Sequence, residues 1–150
     1  MKSDSASTDD RHSLEYFVVA QAPVFDRVLS ELRAGKKRTH WMWFIFPQCA
    51  GLGSSPHSIR YAIRTRAEAT AYLAHPILGP RQREAAAAAM TVSDRSANAI
   101  FGSPDDRKLQ SCATLFDAIE PHSVFGRLLQ HFFNGARDAA TVRWLDSSRD

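Results

Sequence analysis

The residues best suited to chemistry crowd into one stretch, 33–55. Four cations, Arg33, Lys36, Lys37 and Arg38, precede His40-Trp41-Met42-Trp43, and Phe44-Ile45-Phe46-Pro47-Gln48 then leads into Gly51-Leu52-Gly53-Ser54-Ser55. His40 is the histidine flanked by both the basic cluster and the aromatics, and an imidazole there titrates in the range that a general acid or base needs. It is the candidate catalytic residue. Trp41, Trp43 and Gln48 are candidate walls of a pocket for one nucleotide-like or phosphorylated small molecule, with Arg38 and, further along the chain, Lys108 as anion contacts. If the protein is an enzyme, this set suits hydrolysis or transfer on such a substrate, with His40 moving the proton and the cations holding phosphate.

Two other readings of the same residues stand beside this one. Cations interleaved with tryptophans grip phosphates and stack on bases in single-stranded nucleic-acid binders. Alternatively the aromatics are core and the cations are a solvated helix end, where positive charge meets the negative end of the helix dipole; the protein would then be an interaction or structural domain. Familiar catalytic templates are missing. None of the six histidines pairs with another at i+3 or i+4, and neither HExxH nor CxxC occurs, so no metal and no cofactor is expected. Gly51-Leu52-Gly53 begins like a dinucleotide fingerprint, but Pro56 stands where the third glycine belongs. Arg60 and Arg64 are four apart and share a helical face with Tyr61 between them, solvated arginines being the default.

The elements that must position these residues read as helices. Val24, Phe25, Val28, Leu29 and Leu32 make one apolar face at helical spacing, with Pro23 suited to the first turn and Gly35 to the stop. A short helix over Leu14 to Gln21 precedes it. Val124, Phe125, Leu128, Leu129, Phe132 and Phe133 repeat the pattern, started by Pro121 and ended at Asn134-Gly135. Thr65-Arg66-Ala67-Glu68 is a capping box, in which the hydroxyl takes the Glu68 amide and the carboxylate returns to the Thr65 amide. Ser103-Pro104-Asp105-Asp106 offers a Ser cap, a Pro in the first helical position and acids at the positive helix end. From there Leu109, Cys112, Phe116 and Ile119 form a stripe, and the alanines of 85–89 allow close packing. The run Trp41–Phe46 is apolar all round and has no second strand to pair with, which makes it a central buried helix.

Together these features predict a mainly α protein, a single-domain compact multi-helix bundle with a buried central aromatic segment. The 150 residues, 44% hydrophobic and 23% charged, suit one soluble domain. Residues 1–11, small, polar and acidic, read as a disordered N-terminal arm, 12–146 as the helical domain and 147–150 as a frayed C-terminus. The arm has no apolar core of a secretory signal, and no run approaches the roughly 18 apolar residues a membrane span needs. A net charge of +3 is mild and forms no basic stripe, which disfavours nucleic acid as partner. Cys49 and Cys112 are too few for a disulfide framework and read as buried free thiols in a reducing cytoplasm.

Several blocks carry a family resemblance: His40-Trp41-Met42-Trp43-Phe44-Ile45-Phe46-Pro47-Gln48, Gly51-Leu52-Gly53, Ala71-Tyr72-Leu73-Ala74-His75-Pro76 and Ile100-Phe101-Gly102-Ser103-Pro104-Asp105-Asp106. They resemble a bacterial conserved hypothetical family of unknown function, mycobacterial in type and sometimes labelled "calpastatin". The resemblance spans roughly residues 14–145. It implies a single, mainly helical domain and brings no established activity and no catalytic residue. The calpastatin label fits badly, because calpastatins are disordered repeat inhibitors and this chain has globular periodicity. The chain departs from the family at His57, where an apolar residue is more usual, and at Ser111-Cys112-Ala113, where Ser-Ser-Met is common; the latter weighs against a reactive-thiol role for Cys112. A more distant similarity of size and site style, to small helical bacterial proteins acting on ADP-ribose-type N-glycosides, aligns no residues and only suggests a ligand class.

Overall fold

Helical spacing of the apolar residues dictates the architecture. The computed structural model describes residues 13–147, and among these it contains ten helices and no strand. They are α1 (Glu15–Gln21), α2 (Phe25–Arg33), α3 (Met42–Ile45), α4 (Pro56–Arg60), α5 (Arg66–Ala74), α6 (Leu78–Ala89), α7 (Ala97–Phe101), α8 (Asp105–Ile119), α9 (Val124–Phe133) and α10 (Ala139–Ser147). The expected arm, 1–11, and residues 148–150 lie outside the described residues, whereas Ser147 is the last residue of α10. No helix among the described residues is long and apolar enough to cross a membrane.

One hydrophobic cluster joins Leu14 at one end of the chain to Leu145 at the other. Its axis is α8, in which every residue from Ser111 to Asp117 is buried, so this helix is surrounded on all sides by α5, α7, α9 and α10. The alanines of α6 do the expected work: Ala85, Ala86, Ala88 and Ala89 are buried, and the small side chains let α2, α5 and α9 lie against this helix. A polar thread crosses the same core. The Gln21 amide donates to the Phe44 carbonyl (2.7 Å) and to the Tyr72 hydroxyl (3.0 Å), which donates onward to Gln82 (3.2 Å). Each of these buried groups thereby recovers bonding that it gave up on leaving water.

The helix signals hold with local corrections. Gly35 (φ +75°) ends α2 and Asn134 (φ +54°) ends α9, both in the left-handed region. Pro23, however, lies outside α2, whose cap is Val24, and Ser123 rather than Pro121 caps α9, accepting from the Phe125 amide. The Thr65 hydroxyl takes the Glu68 amide (3.0 Å) as expected, but the Glu68 carboxylate returns to the Arg64 amide (2.8 Å), one residue earlier than the Thr65 amide. Ser103 does not cap α8, because Pro104 occupies the cap position and no side-chain hydrogen bond is made there. The Trp41–Phe46 segment is a single helical turn with mixed burial: Trp41, Met42, Ile45 and Phe46 are buried, while Trp43 and Phe44 are half-exposed.

Candidate functional site

Glu31, in the last turns of α2, organises the loop that follows. Its buried carboxylate accepts from the Arg38 amide (2.8 Å), the Thr39 amide (3.2 Å), the Thr39 hydroxyl (2.7 Å) and the Trp41 indole Nε1 (2.9 Å). Burial by itself would raise the Glu31 pKa; the hydrogen bonds from Arg38, Thr39 and Trp41 outweigh it and hold the group below the ordinary carboxylate value. The indole bond draws Trp41 inward until it is 1% exposed, tilted against Phe46 and edge-on to Phe101. The Lys37 ammonium lies 5.0 Å from the centre of the Trp41 ring and pairs with Asp105 at 3.0 Å.

Two residues later the chain faces a cleft. A parallel bridge between Cys49 and Ile63 fixes its floor, with the Ile63 amide donating to the Gln48 carbonyl (2.9 Å) and the Ala50 amide to the Ile63 carbonyl (2.8 Å). The loop between needs its glycines: Gly51 sits at φ +95°, and a Cβ on Gly53 would come within 2.5 Å of the Ser58 Cβ. The resulting cleft, about 190 Å³, is bordered by Trp43, Gln48, Tyr61, Arg64 and Lys108. The Trp43 ring is stacked on His57 (4.6 Å between centroids, 29°), and the Lys108 ammonium lies 5.6 Å from its centre. No Asp or Glu is among the lining residues. The Gln48 side-chain amide, half-buried at the edge, makes no hydrogen bond to any described residue. Cys49 lies at the base; burial pushes its thiol up to about 11, against the lowering effect of the Thr141 hydroxyl, which favours the neutral thiol.

The family described as a protein of unknown function (DUF1810) matches residues 11–145. The chain belongs to that family. The crystal structure of the conserved hypothetical protein Rv1873 from Mycobacterium tuberculosis is similar, with 49% sequence identity and a TM-score of 0.85 over 91% of this chain and 98% of that one. Neither match carries the calpastatin name. No curated protein matches the sequence.

Of the residues singled out in the sequence, Trp43, Gln48 and Lys108 meet at the cleft, and Arg38, His40 and Trp41 do not line it. Arg38 and His40 are exposed on the loop that Glu31 ties down. Arg60 and Arg64 do not share a helical face, because α4 stops at Arg60 and the chain then turns into the bridge at Ile63. Arg64, at the cleft edge, instead donates through Nη2 to Oε2 of the buried Glu68 carboxylate (2.8 Å), while its amide donates to Oε1 (2.8 Å). His57 was legible only as a departure from the family. Its place against Trp43 follows from the Gly51–Gly53 reversal, which a residue pattern does not reveal. Among the described residues no cluster of His, Cys, Asp or Glu is arranged to hold a metal ion.

Proposed function

We infer that the chain binds a small, planar, negatively charged molecule, nucleotide-like or phosphorylated, in the cleft between Trp43, Gln48 and Lys108. The observation that carries this reading is the Gln48 amide, unpartnered and half-buried in a cleft that has a tryptophan on one side, an ammonium on another and no carboxylate. An amide with no protein partner is free to meet a ligand that brings a donor and an acceptor edge. The Trp43 face offers stacking that is tolerant of ring identity. Lys108 supplies charge, because its nearest carboxylate, Asp105 at 3.6 Å, is held more closely by Lys37 at 3.0 Å.

This reading keeps three of the residues expected from the sequence and leaves out Arg38, His40 and Trp41. A binding role accounts for the cleft without a catalytic group: neither His40 nor His57 is among its lining residues, and His57 is stacked on the Trp43 ring. Cytoplasmic location is part of the same proposal and is supported by the unpaired, buried thiols of Cys49 and Cys112.

The test is a thermal-shift and tryptophan-fluorescence screen against nucleotides, NAD, ADP-ribose and phosphosugars at two salt concentrations. A ligand at ~100-fold excess over Kd stabilises the native state by about 2.7 kcal/mol. The expected hit survives moderate salt and is lost in Gln48→Ala and Trp43→Ala. A response that collapses with salt and requires long oligonucleotides points to nucleic acid. Silence across the panel removes this reading in favour of a protein partner.

A further inference from the structure

The cleft does not end at Gln48. A second depression, about 310 Å³, adjoins it between the glycine loop, the first two turns of α8 and the start of α10. The two share Gln48, Gly53 and Lys108, and Gly53 adds no side chain to the divide. They differ in charge. The first holds cations without a carboxylate, whereas the second sets Arg107 and Lys108 against one carboxylate, Asp138.

Asp138 is held rigidly and half used. Its amide donates to the Thr114 hydroxyl oxygen (2.9 Å), and its Oδ2 accepts from the Thr141 amide (2.9 Å) and the Thr141 hydroxyl (2.6 Å), which caps α10. Oδ1 has no hydrogen-bond partner among the described residues. The Arg107 guanidinium, exposed across the depression, likewise makes no hydrogen bond or ion pair among them. A ligand that suits this second lobe therefore brings hydroxyl donors for Asp138 and anionic acceptors for Arg107 and Lys108. Inorganic phosphate brings no sugar hydroxyls to Asp138, and a sugar phosphate without an aromatic base leaves the Trp43 ring without a stacking partner from the ligand.

We propose that the two depressions form one bipartite site whose ligand is a ribonucleoside phosphate. Its ring lies against Trp43 beside the Gln48 amide, its sugar hydroxyls donate to Asp138 Oδ1, and its phosphate lies between Lys108 and Arg107. This rests on the reading of Trp43, Gln48 and Lys108 above and extends it by naming the ligand class and two further recognition residues.

Calorimetric titration of the full chain tests it, using the four ribonucleoside 5′-monophosphates, their nucleosides, their 2′,3′-dideoxy counterparts and ribose 5-phosphate. The expected result is a monophosphate that binds about tenfold or more tightly than its nucleoside, with most of that gain lost in Arg107→Ala, and ribose 5-phosphate weaker than the nucleotide. The ribo form binds about tenfold more tightly than the dideoxy form, and Asp138→Asn brings that ratio close to one. The Asn side-chain oxygen can still accept from Thr141, so thermal unfolding of this variant stays near that of the parent. Equal affinity for nucleoside and monophosphate overturns the proposal, as do ratios unmoved by Arg107→Ala or Asp138→Asn. Nucleosides that bind and are lost in Trp43→Ala, but show no such ratios, overturn the bipartite site alone. No binding by any member of this panel overturns the bipartite site, and the reading of the Trp43 cleft falls with it only where the wider screen above is silent as well.

Discussion

Trp41 and Trp43 stand two residues apart and live in opposite environments. Trp41 has its indole N–H on Glu31, a lysine over its ring and the core on its other sides. Trp43 is half-exposed at the border of a cleft, with the His57 imidazole stacked on its ring and the Lys108 ammonium 5.6 Å from its centre. A similar contrast separates two glutamines: Gln21, buried, has its amide bonded to Phe44 and Tyr72, while Gln48 has no partner for its side chain among the described residues. Saturated polar groups hold a fold together; an unsaturated one at the edge of a cavity is available to a ligand. The division between core and cleft thus runs through a single tetrapeptide, His40-Trp41-Met42-Trp43.

The sharpest way to break this comparison is Glu31→Ala. It orphans three buried or half-buried amide and indole donors and the Thr39 hydroxyl together, and we expect a loss of about 3–5 kcal/mol in urea unfolding. A loss below about 1 kcal/mol would mean that the loop is not organised by this carboxylate. Trp41→Phe removes the Nε1 donor and shrinks the ring beneath Lys37, and should cost about 2 kcal/mol. Tyr72→Phe cuts the link between Gln21 and Gln82 and should cost about 1–2 kcal/mol, measured in the same way. At the other extreme, Gln48→Ala should change stability by no more than about 0.5 kcal/mol, and Trp43→Ala by under about 1 kcal/mol. Either value approaching that of Trp41→Phe would erase the distinction on which the proposed site depends.

Acid sharpens the same contrast. The native state holds Glu31 below its ordinary pKa of 4.5, so its contribution is complete above that value and is lost as pH falls through the lower native one. Glu120, held down by the guanidinium of Arg83, adds in the same direction. Stability should therefore decline on acidification below about pH 4.5, and Glu31→Gln should flatten that decline. A Glu31→Gln profile as steep as the parent's would assign the acid sensitivity elsewhere.

Helices and stops were readable because their causes are local. Val28 and Leu32 are buried where a repeat of 3.6 residues places them, and Gly35 and Asn134 adopt the left-handed backbone that ends a helix. The errors fell where the determinant was not local. Nothing in the string Ser103-Pro104 announces that the cap of α8 moves to Pro104, and the return of Glu68 to the Arg64 amide depends on the chain leaving the Ile63 bridge at a particular angle. Of the six candidate residues, Trp43 and Gln48 from the stretch 33–55 and Lys108 from α8 border one cleft, an arrangement that the order of residues does not reveal. The other three were neighbours in sequence that folding turned away.

The amino-acid sequence by itself determined the class of this protein: periodic apolar faces that can be buried only against one another, alanines that let helices approach, and a conserved hypothetical family to which the chain belongs. Tertiary structure alone decided which tryptophan became core and which became wall. That choice rests on Glu31, ten residues before Trp41, and on Lys108, far beyond Trp43, reaching the two rings from different helices. Burial and hydrogen bonding act through space, so a residue's partners, rather than its neighbours along the chain, settle whether it stabilises the fold or is left to meet a ligand.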